Sequence, residues 1–220
     1  MLKKTMAPKQ ERSRESLRRL IAAARAVLNE KGLEGATVPR VAARAGLSPA
    51  SVYRRFPDKD ALMRSVVLET LQSYDEGNEA VLTPKLAKLG SLATFGEKIV
   101  EQSLAAHRKN AGMLRAMTQF ILSHPSAAFK KKAAQISARS LNRVAEFLLL
   151  KRKEMSHPRP EEAVQFGLTV VGFVLQEIVV LDPLPEVPDP RLPKNDADLV
   201  RELARVLLSY LGVSNKGKTD

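Results

Sequence analysis

Apolar residues recur every three or four positions along most of this chain, which predicts helices with one buried face. The first stripe of this kind consists of Leu17, Leu20, Ile21, Ala24, Val27 and Leu28. Gly32 follows it and can take the left-handed conformation that ends many helices. No segment alternates apolar and polar residues over the length of a strand. We therefore predict an all-α fold.

A helix-turn-helix pair is predicted at residues 37–56. Thr37 is a good N-cap for the first helix and Ser48 for the second, because each side-chain oxygen can accept a hydrogen bond from an unpaired amide of the first turn. Pro49 suits the first position of the second helix, where no hydrogen bond is lost. Gly46 supplies the turn between them. In such a motif the second helix enters the major groove of DNA.

Helical patterns continue after Pro57, which is expected to end the second helix of this pair just after Phe56. Asp58 is predicted to cap the next helix. We predict helices near residues 59–78, 91–109, 113–123, 126–153, 161–181 and 196–211, and a loop at 83–90. Five prolines between residues 182 and 193 exclude a regular helix and indicate an extended linker.

Positive charge is concentrated around the predicted motif. Residues 1–60 hold 14 Lys and Arg against 6 Asp and Glu, which gives +8 of the chain's total of +12. A positive surface beside a helix-turn-helix motif is what binding to DNA phosphates requires. Residues 1–11 are expected to form a flexible basic arm.

Composition argues against several other kinds of site. There is no Cys, which excludes disulfides, thiolate zinc sites and cysteine nucleophiles. The sequence has no metal-ligand spacing, no phosphate-binding glycine loop and no nucleophile–base arrangement, so we expect no cofactor, no metal and no enzymatic activity. His107 and His124 are expected at the surface, and contact with a ligand or metal is the alternative. Polar residues interrupt the apolar stretch 163–181, so we expect a buried helix rather than a membrane span, and a cytoplasmic protein.

The second helix of the motif carries side chains that suit DNA. Pro49 and Ala50 can contact a thymine methyl group, and Ser51 can hydrogen-bond a base. Tyr53 can reach a phosphate with its hydroxyl, although it could also be a packed surface aromatic. Arg54 and Arg55 supply charge, and whichever faces the groove could bind guanine through two hydrogen bonds. The alternative for this pair is a solvated surface.

Two cations lie in the first turns of predicted helices, where a positive charge opposes the helix dipole by a few tenths of a kcal/mol to about 1 kcal/mol. They are Arg40 and Lys59. A phosphate beside the same amides would remove this penalty. Ser48 also opens a helix whose first amides can bind a phosphate oxygen. We therefore predict that all three positions contact the DNA backbone.

The segment A-T-V-P-R-V-A-A-R-A-G-L-S-P-A-S-V-Y-R-R-F-P-D-K-D-A-L, residues 36–62, resembles the signature of the TetR family of bacterial transcriptional regulators. The resemblance implies a three-helix DNA-binding domain at 12–60, a helical effector-binding and dimerisation domain at 61–213 and a polar tail at 214–220. It implies DNA contacts by the residues Thr37, Ser48, Pro49, Ala50, Ser51, Tyr53, Arg54 and Lys59. Two departures are Arg40, where many members have an acid, and Pro49-Ala50 in place of the frequent Lys-Gly.

The resemblance also implies a homodimer built from the last two helices, and the sequence supports it independently. The helix at 161–181 is apolar nearly all round and must be covered on most sides. The predicted interface residues are Gly167, Val171, Val174, Leu203, Leu207 and Tyr210. The alternative is that these residues form a core within one chain.

An effector pocket is predicted from soft and aromatic residues on faces expected to point inward, and from two polar residues on an apolar helix. These residues are Met113, Met117, Phe120, Phe147, Phe166, Phe173, Gln176 and Glu177. Their character indicates a small, mainly apolar ligand. Core packing is the alternative for the apolar ones.

The leading hypothesis is a dimeric repressor on a pseudo-palindromic operator in double-stranded DNA, with two recognition helices about 34–36 Å apart. An effector that stabilises a different separation of the two DNA-binding domains would lower the affinity for the operator. The alternative is a nucleoid-type protein that binds DNA without sequence preference, driven by the net charge of +12. Specific operator binding distinguishes the two.

Overall fold

The computed structural model describes residues 8–181 and 192–213, and within these ranges it contains helices and no β-strand. The all-α prediction is confirmed. The helices are α1 (Pro8–Gly35), α2 (Val38–Arg44), α3 (Pro49–Tyr53), α4 (Lys59–Val81), α5 (Pro84–Ala87), α6 (Leu92–Ser123), α7 (Ala127–Leu149), α8 (Pro160–Leu175) and α9 (Asp196–Tyr210).

Packing divides the chain into two compact units. Unit 1 consists of residues 1–71 and 112–133, and unit 2 of residues 72–111 and 134–220. The division falls inside α4, α6 and α7. The chain therefore passes between the units within helices and not through loops.

Unit 1 is built on α1, whose predicted apolar stripe is buried. The covered side chains are Leu20, Ile21, Ala24, Val27 and Leu28, while Leu17 is half-buried. Gly32 has φ 65°, so the regular helix breaks at the glycine that was predicted to end it. From α2 the residues Val38, Val41 and Ala42 complete the small core, as the pattern of the sequence indicates.

The second half of α6 meets α1 backbone to backbone. A Cβ atom added at Gly112 would lie 2.2 Å from the carbonyl oxygen of Asn29, so only glycine fits there. The Asn29 side chain accepts a hydrogen bond from the amide of Met113 at 3.0 Å. Met113 lies three residues after Asn110, whose non-helical angles (φ −117°, ψ 18°) interrupt α6. The break that the sequence predicted between residues 109 and 113 is thus present.

His124 lies in the turn between α6 and α7 and is 5% exposed, so its predicted surface position is wrong. Its Nδ1 accepts a hydrogen bond from the amide of Ser126 at 3.0 Å, and its Nε2 lies 3.2 Å from the carboxylate of Asp60. Because Nδ1 is an acceptor, the ring hydrogen is on Nε2, and Nε2 donates a hydrogen bond to Asp60. The ring packs against Phe120 and Phe129, which explains why the histidine is buried.

A buried carboxylate joins α4 to α7 in unit 2. Asp75 is 1% exposed and accepts hydrogen bonds from Arg139 Nε at 2.7 Å and Arg143 Nε at 2.6 Å. Burial of this carboxyl opposes its ionisation, but the hydrogen bonds and charges of Arg143 and Arg139 outweigh that effect and lower the pKa of Asp75. The group is therefore ionised and paired at neutral pH.

In unit 2, α8 packs closely on α9. A Cβ atom at Gly167 would lie 2.7 Å from Leu207 Cδ1, so the glycine permits this approach. By length and composition the helical stretch Pro160–Leu181 could cross a membrane, but a core helix of a soluble protein passes the same test. We interpret this apolar stretch as a helix that packs on α9.

Two elements differ from the prediction because a local signal was missed or misjudged. Residues 8–11 are helical rather than part of the basic arm, of which residues 1–7 lie outside the described residues. The predicted loop at 83–90 contains α5. Thr83 caps this helix through the amide of Leu86, and Pro84 takes its first position, which is the same signal that marks Ser48-Pro49.

Two further helices end differently because of the packing around them. The helix predicted to reach Lys153 stops at Leu149, and a 3-10 turn at Arg152–Glu154 follows. This turn brings the carboxylate of Glu154 to the amide of Leu92, at 2.6 Å, where it caps α6. The helix predicted at 161–181 becomes a π-helix from Gln176 onward. The predicted proline-rich linker lies mainly at 182–191, outside the described residues.

Candidate DNA-binding surface

The recognition segment, residues 48–55, forms a short exposed rod. Ser48 caps α3 by accepting a hydrogen bond from the amide of Ser51 at 3.2 Å, as predicted. Regular helix ends at Tyr53, so the prediction that it continues to Phe56 is wrong. The amide of Arg55 bonds to the carbonyl of Val52 at 2.9 Å, which tightens the last turn. Val52 is buried and fixes the rod to the core of unit 1.

Polar groups along the recognition segment are hydrogen-bonded to one another. The hydroxyl oxygens of Ser48 and Ser51 are 2.8 Å apart, and Arg54 Nη2 donates to Ser51 Oγ at 3.1 Å. No carboxylate pairs with Arg54 among the described residues. The guanidinium is therefore positioned by a neutral hydroxyl and keeps its full charge for an anionic partner.

Arg55 points toward α1 rather than along the recognition segment. Its Nη2 donates to the carbonyl oxygen of Ser13 at 3.0 Å and to Ser13 Oγ at 2.8 Å. These bonds tie the end of α3 to the first turns of α1. Of the two arginines, Arg54 is thus the better candidate for contact with a base, which the sequence alone left open.

A surface cleft of about 450 Å³ separates α1 from the recognition segment. It is lined by Ser16, Leu20, Leu47, Ser51, Arg54 and Arg55. Hydroxyl groups and guanidinium groups surround an apolar floor, a combination that suits a sugar-phosphate strand. Sequence reasoning missed Ser13 and Ser16, because nothing in the periodicity of α1 indicates that its first turns lie beside α3.

The other predicted DNA contacts of the motif are open to solvent. The exposed side chains are Pro49, Ala50, Tyr53 and Thr37. Thr37 Oγ1 caps α2 by accepting from the amide of Arg40 at 3.4 Å, and its hydroxyl hydrogen remains able to donate to a phosphate. The structure thus brings the predicted residues of α2 and α3 onto exposed positions of unit 1.

Arg40 and Lys59 have protein partners that the sequence argument did not foresee. Lys59 Nζ donates to the carbonyl oxygen of Leu33 at 2.9 Å, and Arg40 Nη1 donates to that of Gly35. Both carbonyls lie in the last residues of α1, just after the break at Gly32, and each offers the cation a backbone acceptor. A phosphate is therefore not needed to explain either cation, although the remaining donors of each could still reach one.

The predicted effector residues are divided between the units. Met113, Met117 and Phe120 belong to unit 1; Phe147, Phe166, Phe173, Gln176 and Glu177 belong to unit 2. Met113, Met117 and Phe147 are buried. Phe166 and Phe173 are exposed on α8, so the prediction that these two rings face inward is wrong. Within the described ranges, no group of three or more His, Asp or Glu side chains is arranged to hold a metal ion.

Four of the six predicted interface residues are covered within one chain. Gly167, Val171, Leu203 and Leu207 are buried where α8 meets α9, whereas Val174 is half-buried and Tyr210 is exposed. The exposed side of these helices carries other apolar side chains instead, namely Phe166, Phe173 and Val206. The rings of Phe166 and Tyr210 lie 5.7 Å apart, so the exposed stripes of the two helices adjoin.

Comparison with known proteins agrees with this geometry. Residues 20–66 match the family model of bacterial regulatory proteins of the tetR family. No curated protein matches the sequence significantly. A Mesorhizobium loti protein assigned to the TetR-family transcriptional regulators has a TM-score of 0.71 at 20% identity, over 91% of this chain and 96% of that one. FadR from Bacillus subtilis, solved with stearoyl-CoA, has a TM-score of 0.62 at 18% identity, over 90% and 100%.

A third similar structure is the fatty acid degradation regulator FadR from Bacillus halodurans, with a TM-score of 0.63 at 18% identity over 87% of this chain and 97% of that one. The likeness at this level of identity concerns the fold, and the family match concerns the helix-turn-helix region. Together they show that the chain shares the fold of these regulators and that its residues 20–66 match the model of the tetR family.

Proposed function

We propose that the protein is a dimeric repressor that binds a pseudo-palindromic operator and is released by a small, mainly apolar effector. The observation that carries the DNA-binding part is the recognition segment. It is exposed, it presents hydroxyl and guanidinium groups, and Arg54 has no carboxylate partner among the described residues. The proposed place of action is the bacterial cytoplasm, where the chromosome lies.

On the operator, α3 lies in the major groove with its first turn toward the bases. Arg54 binds guanine or a phosphate through its guanidinium, and Pro49 and Ala50 contact thymine methyl groups. Ser48, Tyr53 and Thr37 contact phosphates. Lys59, Arg40 and Arg55 act mainly by tying α4, α2 and the end of the recognition segment to α1, since each is already bonded to a residue of α1.

The proposed dimer uses the exposed side of α8 and α9. Phe166, Phe173, Val206 and Tyr210 are large apolar side chains open to solvent on one chain, and such a patch typically marks an interface. A second copy of the chain would cover it through a symmetric four-helix contact. The buried residues Gly167 and Leu207 support this surface from beneath.

The proposed effector is a ligand with a substantial apolar part. Support comes from the soft side chains of Met113 and Met117 and from the stearoyl-CoA bound by the similar FadR of Bacillus subtilis. Long-chain acyl-CoA compounds are therefore the first to test. Release would follow from tighter binding of the ligand to the state with low operator affinity.

The decisive experiment selects bound sequences from a random DNA pool and measures affinity for the best palindrome and for random DNA at physiological salt. We expect a preference for the palindrome of at least about a thousandfold. The Arg54→Ala variant should bind the palindrome about 10- to 100-fold more weakly, while random DNA is affected less. Arg152→Ala, which removes an exposed arginine from unit 2, is the control.

Equal affinity for both DNAs would contradict the repressor proposal. Uniform weakening of both by Arg54→Ala would instead support the sequence-independent alternative. Addition of a long-chain acyl-CoA to the operator complex tests the effector separately, because loss of binding is expected only with the correct ligand class.

A further inference from the structure

The whole positive excess of the chain lies in unit 1. Unit 1 holds 19 Lys and Arg against 7 Asp and Glu, a net charge of +12, whereas unit 2 holds 17 of each. The helix-turn-helix region does not account for all of this excess. Residues 112–133 contribute +4, with four cations and no carboxylate.

Most of this additional charge is a run of three lysines near the start of α7. Lys130 donates from Nζ to the carbonyl oxygen of Leu122 at 2.8 Å, which braces the turn between α6 and α7. Lys131 and Lys132 are exposed, and neither has an ion pair or hydrogen bond within the part of the chain that the structure describes. We name these two residues the corner lysines.

The turn that precedes the corner lysines is bonded to α4, the helix that follows the recognition segment. His124 donates from Nε2 to Asp60 in the first turn of α4, and its Nδ1 is fixed by the amide of Ser126. Lys131 is five residues beyond Ser126, about 7.5 Å along the helix axis. Asp60 is adjacent to Lys59 and five residues beyond Arg55. The bond between His124 and Asp60 thus joins the turn before α7 to the first turn of α4, within the unit that also contains the recognition segment.

We propose that Lys131 and Lys132 form a second DNA-contact surface, which binds phosphates of the same duplex that α3 enters. The proposal rests on the proposed function. Mobile, unpaired ammonium groups attract phosphate oxygens without sequence preference, so the corner lysines add affinity and fix orientation but do not select bases. Residues 112–133 contain no Asp or Glu, and Asp60, which contacts this turn from α4, is already paired with Arg64 and bonded to His124.

The test measures operator affinity between about 50 and 300 mM salt for the wild type and for the double variant Lys131→Gln/Lys132→Gln. Removing one phosphate-binding lysine should make the slope of log K against log salt shallower by about 0.9, so we expect a change of about 1.8 per protomer for the pair. Affinity at about 0.1 M salt should fall on the order of tenfold for each lysine removed. Preference for the palindrome over random DNA should remain.

The matched control is Lys85→Gln/Lys88→Gln, which removes the same charge from two exposed lysines of unit 2 that have no ion pair among the described residues. Its salt slope should equal that of the wild type. Ethylation of single phosphates identifies the contacts directly: at least one phosphate whose modification weakens binding of the wild type should have no effect on the corner variant, while the phosphates bound by the recognition segment keep their effect in both. Circular dichroism and thermal unfolding confirm that both variants are folded.

Equal slopes for the corner variant and its control would overturn the proposal, whether or not the wild type prefers a palindrome. Failure of the proposed function is a different result, namely a wild type without operator preference. If the slope changes on random DNA as well as on the operator, the proposal stands, because the interaction is with phosphates.

Discussion

Single residues often have a partner that sequence position cannot reveal. The cations Arg40 and Lys59 occupy first turns of their own helices, which is electrostatically unfavourable there. Each is explained by the end of α1, whose carbonyl groups at Leu33 and Gly35 they bind. The prediction inferred a phosphate beside both charges, whereas the partner that the structure shows for each is a neutral backbone carbonyl of α1.

Asp75 gives a prediction for stability as a function of pH. Its pKa is lowered from the ordinary value of 3.8, so its ionised form stabilises the folded state at pH values above 3.8, and this contribution is lost as pH falls through the lower folded pKa. Asp75→Asn should therefore be less stable than the wild type at pH 7, and the difference should shrink below about pH 4. Urea unfolding at several pH values measures it.

Glu76→Gln is the control for this measurement, since it removes an exposed carboxylate one residue away. It should change stability little at any pH. A difference between Asp75→Asn and the wild type that stays constant from pH 7 to pH 3 would show that the ion pairs with Arg139 and Arg143 are not its source.

At the scale of elements, local signals in the sequence predicted the fold well where one residue decides the outcome. Thr37 and Ser48 each act through their own backbone neighbourhood and cap their helices as predicted. Gly32 breaks the regular helix, but its φ of 65° and ψ of −173° differ from the left-handed helical cap that was predicted, and α1 continues to Gly35. His124 and Phe166 depend on what lies beside them in space. A lone histidine beside a proline was expected at the surface but is buried between two phenylalanine rings. A phenylalanine that the helical pattern placed inward is exposed on the outer side of α8.

The contact between α1 and α6 predicts opposite effects for two glycine substitutions. Gly112→Ala places a Cβ atom 2.2 Å from the Asn29 carbonyl oxygen, so the helices must move apart. It should lower the free energy of unfolding by about 1–3 kcal/mol. Gly77→Ala in α4 meets no atom within 4 Å and should raise it by about 0.5–1 kcal/mol, because alanine favours helix. Urea unfolding compares the two variants.

The pair separates steric conflict from helix propensity, since both substitutions add the same methyl group to a helix. If both variants were stabilised, α1 and α6 would have to be able to separate without cost. If both variants were destabilised, the expected gain from helix propensity at Gly77 would be contradicted, although a Cβ atom there meets no other atom within 4 Å.

At the scale of the whole molecule, the exposed apolar patch predicts self-association. Phe173→Glu should weaken the dimer at least about tenfold, because it replaces a large apolar side chain of the proposed interface by a charge. Sedimentation over a range of concentrations measures this change. Leu122→Glu is a matched control, because Leu122 and Phe173 are both 71% exposed but Leu122 lies in unit 1. If the two variants had the same dimer dissociation constant, the proposal that α8 forms part of the interface would be wrong.

The sequence could place the DNA-binding motif because caps, turn and charge lie within one stretch of the chain. It could not place the interface or the pocket, since those depend on which of several apolar faces is covered. Phe173 and Met117 look alike in a helical pattern, yet one is exposed and the other is buried. Only the packing of neighbouring helices distinguishes them.

Unit 1 is assembled from two separate stretches of the chain, with residues 112–133 completing what residues 1–71 begin. A fusion that transfers unit 1, with its helix-turn-helix pair, to another protein must therefore include both stretches. A graft cut after residue 71 would leave Asn29 without the Met113 amide and Asp60 without His124. We expect unit 1 to fold in such a fusion only if residues 112–133, which follow the break at Asn110, are transferred with residues 1–71.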